Sequence, residues 1–266
     1  MMADPMTSSQ LLRQLDKWGI KYKHYGDWKN HNRNHKGKWG PVHGFMWHHT
    51  GSDNVDQRIL LSKGYSDLPG PLCHFGIAQD GTCWLIGWGR ANHAGSGDDD
   101  VLDAVIAETN LPTDNETNTD GNARYYGAEF WYSGSHDMTQ AQYETGILLS
   151  CAINDFHGWN EKSEIGHGEW QPGKWDPGIR SRVMKDMDRV RSDISKRQKI
   201  GPKPVSNDPK KTQIYREVWD LDVAAAPKGH GETNKYRAPI SLVIWIAEQQ
   251  DVINKKLDEI LKRLDG

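Results

Sequence analysis

The spacing of apolar positions divides the chain into short helices, strands and loops. Residues 7–19 open with Thr7-Ser8-Ser9, a helix N-cap group, and continue with Leu11, Leu12, Leu15 and Trp18 at helical spacing before Gly19 closes the turn. Residues 20–41 lose that period and read as an irregular lead-in, basic and rich in His, Asn and Gly. Phe45-Met46-Trp47 is a short buried strand that runs into His48-His49-Thr50-Gly51. Residues 72–78 and 82–88 flank Asp80-Gly81, a hairpin turn pair, and are expected to be antiparallel neighbours. Residues 100–108 read as a short helix followed by an exposed loop to 122, and residues 125–134 as a buried aromatic strand. Thr139 caps a helix over 139–157 that carries Tyr143, Ile147, Leu148 and Cys151. Residues 178–198 place Val183, Met184, Met187, Val190 and Ile194 on one stripe, which predicts a second amphipathic helix with its charges in solvent.

The pattern changes after residue 198. Residues 199–213 are proline-rich and read as a linker. The C-terminal segment, 214–266, is irregular at first, and Pro239 then opens a helix on which Ile246, Ile253 and Ile260 recur every seven residues, joined by Val243, Leu257 and Leu264. A lone helix of this size is marginal in water. Its stripe is therefore expected to bury, either by self-association as a short coiled coil, which makes a homo-oligomer, or by docking on the preceding domain. The domain expectation is thus a catalytic domain over 1–198, a linker, and a C-terminal oligomerisation or docking segment.

Composition narrows the function class. A formal net charge of −3 over 266 residues argues against a dedicated nucleic-acid binder. Mean hydropathy is −0.81, and no run of eighteen apolar residues exists to span a membrane. The start, M-M-A-D-P-M-T-S-S-Q, lacks the layout of a signal peptide, so the expected setting is a cytoplasm. Cys73, Cys83 and Cys151 are odd in number and lack metal-knuckle spacing, which makes them free buried thiols. The twelve tryptophans are read mostly as core anchors.

The chemistry concentrates in residues 165–178, I-G-H-G-E-W-Q-P-G-K-W-D-P-G. Pro172-Gly173 and Pro177-Gly178 rule out a continuous helix. The stretch is a shaped loop offering an imidazole nitrogen (His167), a carboxylate oxygen (Asp176) and a cation (Lys174). Zinc-like ions accept N and O ligands, but two protein ligands cannot hold a catalytic metal. The loop predicts a third ligand elsewhere. A histidine at the end of a core strand is held rigidly, as a ligand must be. Strand alternation sends His48 and His49 to opposite faces, so one of the two is the candidate. His24, His31, His35 and His43 have no tight ligand spacing and are read as structural or solvent-facing. Glu129 stands in the aromatic strand Y-Y-G-A-E-F-W-Y, where a carboxylate costs several kcal/mol unless it is paired or functional.

Strung together, W-H-H-T-G, C-H-F-G-I-A-Q-D-G, G-R-A-N-H-A-G, Y-G-A-E-F and the 165–178 loop resemble the zinc N-acetylmuramoyl-L-alanine amidases. This is the type-2 amidase family, which includes phage endolysins and is related to the peptidoglycan-recognition proteins. The resemblance implies an α/β fold, a mixed and mostly parallel central sheet flanked by helices. It implies Zn2+ held by His48, His167 and Asp176, a catalytic Glu129, and Lys174 stabilising an oxyanion. In relatives the H-A-G loop lines the substrate groove, which makes Asn92 and His93 candidate contacts, with His49 a third. The other reading of that loop is stabilisation by its own side-chain hydrogen bonds. The tyrosine that precedes the H-F pair in several relatives is replaced by Cys73, and a present Glu129 with an Asp ligand fits the subgroup of anhydro-muropeptide amidases and many actinobacterial-phage lysins.

The function so implied is bacteriolytic peptidoglycan hydrolysis, by a bacteriophage endolysin made in the host cytoplasm and later released to the cell wall. Two other classes share the sequence features: a peptidoglycan-binding module without hydrolysis, and a virion-associated structural protein with a local wall-opening role.

Overall fold

The computed structural model describes residues 1–202, and Met1–Lys203 form one compact unit. The expectations for the rest of the linker and for the C-terminal helix lie outside the described residues. Helix α1 (Ser8–Lys17) begins where the sequence places it. The Thr7 hydroxyl accepts the Gln10 N–H, and the Gln10 side chain returns to the Thr7 N–H. Leu11 and Leu15 are buried on its inner face.

The central sheet is built from β1 (Tyr22–His24), β2 (Phe45–His49), β3 (Phe75–Ile77), β4 (Cys83–Leu85), β7 (Tyr126–Phe130) and β8 (Glu164–Gly166), with α2 (Arg58–Lys63) between β2 and β3. Two short elements, β5 (Ser96–Gly97) and β6 (Thr119–Asp120), pair with each other outside it and bracket α3 (Asp99–Ala107). The sheet order is β1-β4-β3-β7-β2-β8, and only the β3–β4 hairpin is antiparallel. The expected α/β fold, with a mixed and mostly parallel sheet flanked by helices, is therefore the observed one. Gly81 takes φ +79 in the hairpin turn.

Strand alternation separates the two faces. Phe45 and Trp47 point toward α4 (Gln140–His157), where Trp47 stacks on Phe130 and lies close to Tyr143. Gly146 of α4 lets that helix approach, since a Cβ there would sit 2.4 Å from the Trp47 ring. Met46 faces the other way, into a cluster with Val101, Val105, Tyr125, Ile165 and Trp170. His48, two residues on, shares the Met46 face by the same alternation.

Two expectations change. The lead-in is not wholly irregular, because β1 pairs in parallel with β4. It is an edge strand with mostly exposed side chains, so it carries no hydrophobic period to read. The second amphipathic helix starts at Met187 rather than 178: β9 (Gly178–Arg180) and β10 (Val183–Met184) form a small hairpin, and α5 spans Met187–Ile200. Asp186 sets that start by accepting the Arg189 N–H, while Arg182 sits at φ +57, outside the helical region. No helix among the described residues is long and apolar enough to cross a membrane.

Candidate metal centre

Three parallel strands end at one place. β2 pairs with β8 in the register Phe45↔Glu164, Met46↔Ile165, Trp47↔Gly166, so His48 and His167 come one step beyond the last pair. β2 also pairs with β7, where His48 is the register partner of Glu129. His167 opens a 3-10 turn (His167–Glu169), and the loop returns so that the Gly168 N–H donates to the Asp176 carbonyl. Arg191 of α5 fixes the turn by binding Glu169 at 2.7 Å, and Glu169 accepts the Gly166 N–H. Trp170 anchors the far side by donating to the Ala94 carbonyl.

His48 Nδ1, His167 Nδ1 and Asp176 Oδ2 stand 3.0 Å apart on all three edges. Hydrogen bonds alone do not satisfy such a triangle. A neutral imidazole has one N–H, and the outer nitrogens already have partners: His167 Nε2 faces Gln171 Oε1 at 3.1 Å, and His48 Nε2 faces His93 Nδ1 at 3.1 Å. Where Gln171 Oε1 and His93 Nδ1 accept the ring hydrogens, both Nδ1 atoms turn bare lone pairs toward a carboxylate. Three acceptors at one point fit a shared cation, and His48, His167 and Asp176 form a candidate site for a metal ion.

Burial pushes the His48 imidazole down to about 4, with Asp176 pulling the other way. Burial alone would raise Asp176, but the imidazoles of His167 and His48 outweigh it and hold this carboxyl far below the usual range. Glu129 is the opposite case. Burial, reinforced by the Asp176 charge and opposed by Lys174, raises it well above the ordinary carboxylate value. Its Oε2 is buried and has no hydrogen-bond partner among the described residues. Lys174 is exposed on the loop between the two ligands.

The remaining candidates separate. His49 points away from the triangle, accepts the Gly178 N–H at 2.8 Å, and is flanked by Trp175 and Tyr132. Asn92 donates to the Pro69 carbonyl at 2.7 Å. His93 is buried behind His48, and its loop is stabilised from outside: Asn122 Oδ1 accepts the N–H groups of His93, Ala94 and Gly95. Cys73 is buried behind the site, where burial raises its thiol and the Glu129 charge adds to the effect. Two residues that matter here had no role in the sequence reading. Gln171 is recognisable only by its position four residues after a ligand, and Asn122 lies in an Asn/Thr/Gly-rich loop with no local signal.

A strand-borne histidine, a ligand loop carrying His and Asp, and a buried carboxyl beside them are the parts of a metal-assisted hydrolase. The family model for N-acetylmuramoyl-L-alanine amidase matches residues 38–179, more than half of the chain, and the chain belongs to that family. It is accordingly an amidase acting on peptidoglycan. No curated protein matches the chain. Among solved structures it is similar to the endolysin amidase LysCS of Clostridium intestinale URNW, at 18% identity over 65% of this chain and 93% of that one, with a TM-score of 0.43. It is similar to the amidase LysC of the same organism at 16% identity over 65% and 95%, with a TM-score of 0.42. A selenomethionine derivative of AmpD is 17% identical over 72% and 98%, with a TM-score of 0.46.

Proposed function

We propose that the chain is a zinc-dependent endolysin that hydrolyses the lactyl amide joining N-acetylmuramic acid to L-alanine. The observation that carries the reading is the 3.0 Å triangle of His48, His167 and Asp176 beside Glu129, whose Oε2 has no partner among the described residues. Two imidazole nitrogens and one carboxylate oxygen suit zinc and leave a position for water or substrate. Bound there, zinc would acidify a water and polarise the scissile carbonyl. Glu129 takes a proton from the attacking water at its carboxylate and returns one to the leaving alanine nitrogen. Burial raises its pKa, and a dication bound at the triangle would oppose that shift. Lys174 brings a positive charge to the oxygen on which negative charge develops. Retention of all three ligands and of Glu129 separates this chain from a binding module without hydrolysis. The motif set with Glu129 present and Cys73 in place of tyrosine fits a phage lysin, a pattern that anhydro-muropeptide amidases share.

The test is product analysis of digested cell wall. New alanine amino termini without new reducing sugar ends, abolished by a chelator and restored by zinc, are expected. New reducing ends, or cuts inside the peptide stem, would overturn the reading.

A further inference from the structure

The two imidazoles of the triangle are held from behind by different groups. His167 Nε2 faces an amide oxygen, Gln171 Oε1. His48 Nε2 faces a third imidazole, His93 Nδ1. For His48 to keep Nδ1 bare, its hydrogen must sit on Nε2, and His93 Nδ1 must accept it. The hydrogen of His93 then sits on its own Nε2. That atom is buried, and the Tyr125 backbone carbonyl is available to accept its hydrogen, which leaves Nδ1 as the acceptor facing His48.

His93 is also immobilised. Asn122 gathers the backbone N–H groups of His93, Ala94 and Gly95 on one oxygen. Gly127 of β7 lies flat against the ring, and a Cβ there would come within 2.4 Å of His93 Nδ1. His74 closes the other flank edge to face at 5.4 Å, and is itself fixed by donating to the Gly89 carbonyl and accepting the Gly127 N–H. The ring is thus locked in the orientation that meets His48.

We propose that His93 is a positioning residue that selects the Nε2–H form of His48, fixes its ring plane and thereby sets the affinity for the metal. The inference rests on the metal reading above and gives His93 a role other than contact with the sugar or peptide. An imidazole acceptor also differs from a carboxylate in this place. It orients His48 without adding a negative charge, so Asp176 would be the single anionic ligand and a bound ion would keep more of its charge for the substrate.

The experiment compares full-length wild type with His93→Ala, His93→Asn and His48→Ala. Zinc affinity is measured by competition with a chromophoric chelator, the absorption spectrum is recorded with cobalt in place of zinc, and the fold is followed by circular dichroism. His93→Ala is expected to weaken zinc binding on the order of 10–100-fold and to shift the cobalt bands, with the fold retained. His93→Asn places an amide oxygen near the lost Nδ1 and is expected to recover most of the affinity and the original spectrum. If His93→Ala is folded and binds within about two-fold of wild type while His48→Ala loses metal, the inference is wrong and the metal reading stands. If His48→Ala keeps its metal, the metal reading fails and takes this inference with it. Should His93→Ala not fold, a folded His93→Asn that lacks both affinity and the wild-type cobalt spectrum overturns the proposal, and one that retains both supports it.

Discussion

His48 and Glu129 are register partners on adjacent parallel strands, β2 and β7. Side chains at registered positions share a face of the sheet, so backbone pairing alone sets the candidate metal ligand beside the candidate base. No loop has to close to bring them together. Glu129→Gln preserves shape and the strand but removes the basic oxygen. It is expected to fold, to bind zinc as wild type does, and to lose activity on the order of 100-fold or more. Near-normal turnover in a zinc-loaded Gln variant would return Glu129 to a structural role.

A second buried carboxyl, Glu164, has no part in the chemistry and makes a prediction about stability. Its Oε2 accepts hydrogen bonds from Ser150 at 2.6 Å and Trp47 at 3.0 Å, while its Oε1 and the neighbouring Asn154 Oδ1 lack partners among the described residues. Burial raises Glu164 to about 7, against the hydrogen bonds from Ser150 and Trp47. A protonated Oε1 can donate to Asn154, which satisfies both orphans. Between pH 4.5 and about 7 the folded state therefore holds more protons than the unfolded state. Stability from this group falls as pH rises through that window and is level above it. Glu164→Gln carries a permanent donor. It is expected to match wild type near pH 4.5 and to exceed it at pH 8 by roughly 3 kcal/mol at most. Urea unfolding at the two pH values checks this, and an equal difference at both would exclude the titration.

Much of the candidate site was legible in the sequence because its candidate ligands lie where backbone rules operate. Strand alternation separated His48 from His49, and the Pro-Gly pairs marked 165–178 as a loop able to fold back on itself. What was not legible depends on tertiary contact. Asn92 and His93 are neighbours in the same glycine-broken loop, yet His93 goes into the core behind His48 while the Asn92 side chain binds the Pro69 carbonyl. Edge strand β1 exposes most of its side chains, so neither face wrote a hydrophobic period into residues 22–24. In residues 178–186 Val183 and Met184 fit a helical stripe by spacing. The cap at Asp186 and the left-handed Arg182 decided otherwise.

The domain division is a prediction of its own. Met1–Lys203 form one compact unit, and the sequence places the apolar heptad stripe at 239–264. Protein ending at Lys203 is expected to fold, to bind zinc and to retain amidase activity. Light scattering is expected to show self-association in the full-length chain and none in the shortened one. A full-length monomer at tens of micromolar would exclude the coiled coil. Precipitation of the shortened chain would make the C-terminal segment part of the enzyme's own core.

The central claim is that His48, His167 and Asp176 hold one zinc ion. Elemental analysis of purified wild type and His167→Ala, after dialysis against the same zinc-buffered solution, tests it most directly. Wild type is expected to carry one zinc per chain and His167→Ala to have lost most of it with the fold retained. A full zinc complement in His167→Ala would remove His167 from the site and contradict the claim.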